Sequence, residues 1–182
     1  MAKHAVIVVD LQNDYLPTGK YALEGIQAAV ANAAAVIEHA RAKEQPVICV
    51  QHLATGADAP FFVPGTPGVE FIPEVAPRAG DPIVVKHHPN AFLATELRPL
   101  LDELSVTDVT IVGAMSHMCI EATARAASDF GYKVTVVHDA CATRDLEFDG
   151  GTVAAAQVHA ASMASLAFAY ARLIAADRYL AV

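Results

Sequence analysis

The chain has 182 residues, 54 % of them apolar, which suits one domain with a sizeable core and excludes a disordered chain. Its formal charge is −8 with no basic cluster, which argues against a nucleic-acid surface. Three scattered cysteines suggest neither a disulfide framework nor a zinc knuckle, so a reducing cytoplasm is the expected setting.

Met1-Ala-Lys-His leads straight into a strand-like run with no secretory cleavage region. The longest uncharged apolar stretch, Ala160–Ala171, is too short to span a bilayer.

His4–Val9 is a continuous β-branched run and reads as a buried parallel strand, ended by Asp10. A carboxylate at the end of a buried strand needs a partner or a task; a turn cap is the plain alternative. Gly25–Lys43 carries Val30, Ala33, Ala34, Ile37 and Ala40 at helical spacing, and Gln45-Pro46 stops it. Val47–Gln51 is a second buried strand with Cys49 as inert core. His52–Pro82 is long, irregular and proline-rich, as binding loops are. Its Phe61, Phe62 and Phe71 either line a pocket or pin the loop to the body.

Ile83–Val85 reads as a short strand ended by Lys86, and Ala91–Leu104 as a helical segment interrupted at Pro99. Val109–Val112 is the fourth strand; Gly113 and a short turn lead to Cys119 and a helix over Glu121–Ala127. Gly131 closes that helix and Lys133–Val137 is the fifth strand, ending at His138-Asp139. Phe148–Ala171 reads as largely helical, Leu173-Ile174 as a last strand or a helix continuation, and Asp177–Leu180 as a tail helix. This alternation predicts a three-layer α/β/α fold on a mainly parallel, doubly wound, Rossmann-like sheet, with residues 1–182 as one domain.

In an open parallel sheet, ligands bind beyond the carboxyl ends of the strands. Asp10, Lys86 and Cys119 all sit at or just past such ends. A doubly wound order makes strands one and four neighbours, which places Asp10 beside Cys119; Lys86 must reach across from a strand further away. A thiol at a strand–turn–helix junction faces free N–H groups and a helix dipole that favour its thiolate. Cys119 is therefore a candidate nucleophile, Asp10 a base and Lys86 a positive charge beside the sulfur. Asp139 is a rival base, and His52, His87, His88, His117 and His138 are candidates for a Cys–His pair. A small buried apolar role for Cys119 is the bland alternative. No Gly-x-Gly-x-x-Gly follows the first strand and no P-loop is present, so no cofactor is expected.

Several further marks occur in order: Val-Val-Asp10-Leu-Gln-Asn-Asp, Gly65-Thr-Pro-Gly-Val-Glu-Phe, Lys86 before Asn90-Ala-Phe, Gly113 with Cys119, Glu121-Ala-Thr-Ala-Arg-Ala, and Asp139-Ala-Cys-Ala-Thr. On these motifs nearly the whole chain resembles the isochorismatase-like cysteine hydrolases, among them nicotinamidases, carbamoylsarcosine and ureidoacrylate amidohydrolases. The resemblance implies an Asp10–Lys86–Cys119 triad and a cis peptide between Ala114 and Met115. It also implies an oxyanion hole from the N–H groups of Met115 and Cys119, and a homo-oligomer, dimer or tetramer. The Ala-rich stretch Ala154–Ala171 fits an interface or simply core. Nicotinamidases hold a metal with an Asp and two His after the second strand; here Gln51-His52-Leu-Ala-Thr-Gly-Ala-Asp offers no second His, so no catalytic metal is expected. True isochorismatases cleave a vinyl ether without needing the cysteine, so Cys119 favours C–N hydrolysis of an amide, ureido or carbamoyl substrate. Ether hydrolysis and a non-catalytic binding protein are the alternatives. Tyr15, Phe61, Phe62, His88 and Phe92 are candidates for the pocket mouth.

Overall fold

The computed structural model describes residues 3–56 and 58–181. Met1, Ala2, Ala57 and Val182, which the one-domain expectation includes, lie outside them. A six-stranded sheet is built from β1 (His4–Val9), β2 (Val47–His52), β3 (Ile83–Lys86), β4 (Asp108–Ala114), β5 (Lys133–Ala142) and a last strand over Arg172–Ile174, called β8. Its order is β3-β2-β1-β4-β5-β8, and each adjacent pair is parallel. The reversal of direction falls between β1 and β4, as the doubly wound reading expects.

Side chains alternate across β1. Val6 and Val8 face a cluster with α1 (Ile26–Ala42) and Ala176 of α5 (Ala176–Leu180). Ala5, Ile7 and Val9 face a second cluster with α2 (Leu97–Glu103), α3 (Glu121–Asp129) and α4 (Ala155–Ala169). Both faces of the sheet are therefore covered, which is why its central strands read as unbroken apolar runs. Among the described residues no helix is long and apolar enough to cross a membrane.

Three expectations are corrected, and one that stood open between two readings is decided. The segment from Ala91 becomes an α-helix only at Leu97, which puts Pro99 in the first turn, where its missing N–H goes unneeded. β5 does not end at His138-Asp139 but continues to Ala142, through a register shift opposite Ile111 and Gly113. Phe148 does not start a helix: β6 (Leu146–Phe148) and β7 (Gly151–Val153) form a hairpin around Asp149 and Gly150, both at positive φ. Of the two readings of Leu173-Ile174, the strand holds: it pairs with β5.

Gly113 has a physical necessity. Its φ is +132°, and a Cβ there would lie 2.0 Å from the Val9 carbonyl oxygen. The β1–β4 seam thus closes on bare backbone immediately before Asp10.

Candidate active site

The end of β1 places Asp10 at a φ of +54°, fully buried, beside the end of β3 and the turn after β4. Lys86 is equally buried. Its Nζ lies 2.7 Å from Asp10 Oδ2 and 3.2 Å from Cys119 Sγ. The lysine therefore spans the intervening β2, and the three groups that the sequence places at one sheet edge meet.

Two further contacts complete the ammonium's surroundings: His52 Nδ1 at 2.9 Å and the His88 carbonyl at 3.0 Å. His52 and Lys86 are register partners on β2 and β3. Gln12, fully buried, fastens the His52 backbone: its Oε1 accepts from the His52 N–H at 2.8 Å and its Nε2 donates to the His52 carbonyl at 2.9 Å. The same Nε2 donates to the Val69 carbonyl and ties in the long loop. Neither Gln12 nor this role of His52 is visible in the sequence, because both depend on β2 lying between β1 and β3.

Cys119 sits in a π-helical turn, Ser116–Ile120, that leads into α3. The peptide between Ala114 and Met115 is cis. Cys119 is 3 % exposed. Burial pushes its thiol well above the ordinary value, the Asp10 carboxylate pushes the same way, and only Lys86 opposes them. Burial and Asp10 therefore work against the readily lost proton that the helix position alone predicts. Burial also holds Cys49 and Cys141 up, both to about 12.

Asp10, His52 and Cys119 present one ligand atom each within 4.8 Å of one another, a set that suits a metal ion by type. The Lys86 ammonium lies within 2.7, 2.9 and 3.2 Å of these same three groups and fills the space between them. The set as folded fits that ammonium.

The remaining candidates separate. Tyr15 and Phe62 are buried and form an aromatic group with Phe61, which stacks on Tyr21 at 4.1 Å. His52 joins this group through Phe62 at 5.6 Å. Phe71 packs on the same core, so the phenylalanines pin the loop. Tyr15 feels both Asp10 and Cys119, which together with burial raise its hydroxyl well above the ordinary value. His88 is exposed, and its carbonyl rather than its ring meets Lys86. Phe92 lies away from the sulfur, against Phe130 and Tyr132 at the far end of α3. His87 contacts the Leu53 carbonyl, and His117 contacts Thr143 Oγ1 at 2.7 Å; neither pairs with Cys119. Asp139 accepts from the Ala176 N–H and is spent on anchoring α5. Asp14 is a buried loop organiser that sequence reasoning missed: it accepts from the Phe62 N–H at 2.7 Å. A Cβ on Gly68 would lie 2.2 Å from its carboxylate.

Comparison with known proteins gives the family. The family model "Isochorismatase domain" matches residues 4–177. The isochorismatase family protein YddQ of Bacillus subtilis is 44 % identical over 176 residues, covering 97 % of this chain and 98 % of YddQ. The crystal structure of an isochorismatase from Pseudomonas putida KT2440 superposes with a TM-score of 0.91 at 39 % identity, covering 97 % of this chain and 91 % of that one. N-carbamoylsarcosine amidase from Thermoplasma acidophilum gives 0.82 at 27 % identity, covering 96 % and 97 %. The chain belongs to the isochorismatase family of hydrolases.

Proposed function

We propose that this chain hydrolyses a C–N bond of a small amide, ureido or carbamoyl compound through a thioester on Cys119. The observation that carries the reading is the buried contact of Lys86 Nζ with both Asp10 Oδ2 and Cys119 Sγ. Likeness to a carbamoylsarcosine amidase supports the bond type.

Asp10 takes the thiol proton as Sγ attacks the carbonyl carbon. Lys86 stabilises the sulfur while it is negative. The backbone N–H groups of Met115 and Cys119 receive the oxyanion. Collapse of the tetrahedral intermediate breaks the C–N bond, and Asp10 returns its proton to the departing nitrogen. Water then attacks the thioester while Asp10 takes a proton from it. Cys119 leaves as thiolate and is reprotonated, and the acid product departs. Every proton passes through Asp10, and Lys86 supplies the fixed positive charge, so the scheme uses no metal or cofactor.

Intact-mass spectrometry of wild type and Cys119→Ala with a panel of small amides, ureides and carbamoyl compounds tests the reading. An acyl adduct on wild type alone supports it and gives the mass of the acyl half. Turnover of the panel that persists in Cys119→Ala overturns the thioester, and Cys119-independent turnover of a vinyl ether supports ether cleavage instead. The proposal carries two further expectations: a cytoplasmic setting, from the cysteine content, and a homo-oligomer, from the family, which sedimentation velocity checks.

A further inference from the structure

The Lys86 ammonium has three hydrogens. Three acceptors meet it in good geometry: His52 Nδ1, the His88 carbonyl and Cys119 Sγ. The nearest group of all, Asp10 Oδ2 at 2.7 Å, stands outside this set. Neither carboxylate oxygen of Asp10 has an aligned N–H donor, although both are buried; the polar hydrogen directed to the carboxylate is that of the Cys119 thiol. Buried polar atoms of this kind call for an explanation, because an unmet acceptor is costly. Here the charge attraction of Lys86 holds the carboxylate in place while its lone pairs stay open to that hydrogen.

We propose that His52 is a positioning residue that acts through Lys86: by accepting one ammonium hydrogen at Nδ1, it keeps that hydrogen off Asp10 and leaves the carboxylate open to receive the thiol proton. A hydrogen bond to a carboxylate stabilises its charged form and weakens it as a base. Without His52 the freed hydrogen has an anionic acceptor 2.7 Å away and turns to it. His52 suits the task because a neutral acceptor directs the ammonium without cancelling its charge. The contact fixes its tautomer, with Nδ1 bare and the proton on Nε2. Its location is over-determined. The Gln12 amide grips both its backbone N–H and its carbonyl, and Phe62 backs the ring. Asp10 Oδ2 lies 3.6 Å from Nδ1, too far for His52 to bond the carboxylate itself.

This inference rests on Asp10 acting as the base for Cys119. The test is the rate at which iodoacetamide alkylates Cys119 at pH 7, read by peptide mass spectrometry. The thiol is held up by burial, so at that pH the reaction draws on the neighbouring base rather than on free thiolate. His52→Leu is expected to slow alkylation about tenfold, the effect of one unit of lost basicity. His52→Asn, whose side-chain oxygen can replace Nδ1 as acceptor, should stay within about threefold of wild type. In an Asp10→Asn background, His52→Leu should add nothing, because its target is gone. A His52→Leu rate equal to wild type, an Asn variant as slow as Leu, or full additivity with Asp10→Asn overturns the proposal. If Asp10→Asn alone leaves the rate unchanged, the base assignment fails instead; if it slows alkylation and His52→Leu does not, only the role of His52 fails. Circular dichroism confirms the fold, and His52→Met replaces the Leu variant if that variant does not fold, with the same expected tenfold loss.

Discussion

Lys86 Nζ lies 2.7 Å from Asp10 Oδ2 although β2 separates their strands, and neither side chain has any exposed surface. The two charges compensate each other in a site that neither occupies cheaply alone. Breaking such a pair leaves an uncompensated buried charge and costs about 3–5 kcal/mol. Lys86→Met and Asp10→Asn are each expected to lower the urea midpoint strongly. The double variant should recover much of that loss while staying inactive. Urea titration of the three variants checks both halves; a double variant as unstable as the sum of the singles contradicts the pairing.

Cys119 is the group that forms and breaks the covalent bond in the proposed reaction. Cys119→Ser is expected to lower kcat by about 10³-fold or more, with the fold retained. Steady-state kinetics on the first compound turned over in the panel decides this.

Removal of the ammonium should uncover the donor set around it. Lys86→Ala leaves Asp10, His52 and Cys119 with ligand atoms inside 4.8 Å and no cation between them. Cobalt(II) added to this variant should give a thiolate-to-metal absorption band that wild type lacks. Equal spectra for the two proteins would refute the idea that the lysine fills the space.

The β1–β4 seam predicts a stability effect. Gly113→Ala puts a methyl 2.0 Å from the Val9 carbonyl oxygen at a φ of +132°. Steric conflict and backbone strain act together, so a loss above about 4 kcal/mol, or failure to fold, is expected. Thermal melting, or soluble yield where no folded protein is obtained, reads this out.

Burial lowers the pKa of His4, His117 and His159 below the ordinary histidine value of 6.5. A base with a depressed folded pKa binds its proton more readily in the unfolded chain. These three residues therefore contribute stability that is present above about pH 6.5 and lost as pH falls through their folded values. The urea midpoint should drop between pH 8 and pH 5, and replacing His159 with Gln should shrink that drop. A midpoint insensitive to pH in this window contradicts the assignment.

Much of the fold is legible because its signals are local and strong. His4–Val9 is an unbroken β-branched run and forms β1 over those same residues. Asp10, Lys86 and Cys119 stand out because polar groups follow apolar strands, and the parallel order brings them to one edge. The Asp149-Gly150 turn was equally available as a hairpin signal, but the Ala-rich helix that follows it dominates the periodicity. The acid–base state of Cys119 was not legible. The N-terminal position of the cysteine on its helix argues for a thiolate, whereas burial and Asp10 argue against one, and both appear only when the strands assemble. Phe92 is a pocket-mouth candidate by sequence, yet it packs against Phe130 and Tyr132 past the end of α3.

The burial that holds the Cys119 proton also bears on survival under oxidants. Thiolates attack peroxide oxygen, and the damage proceeds through sulfenic to irreversible acids. A thiol whose proton is held up by burial and by Asp10 presents less thiolate to peroxide than a free cysteine does. The same burial that makes the sulfur depend on Asp10 as its base thus slows the first step of that oxidation.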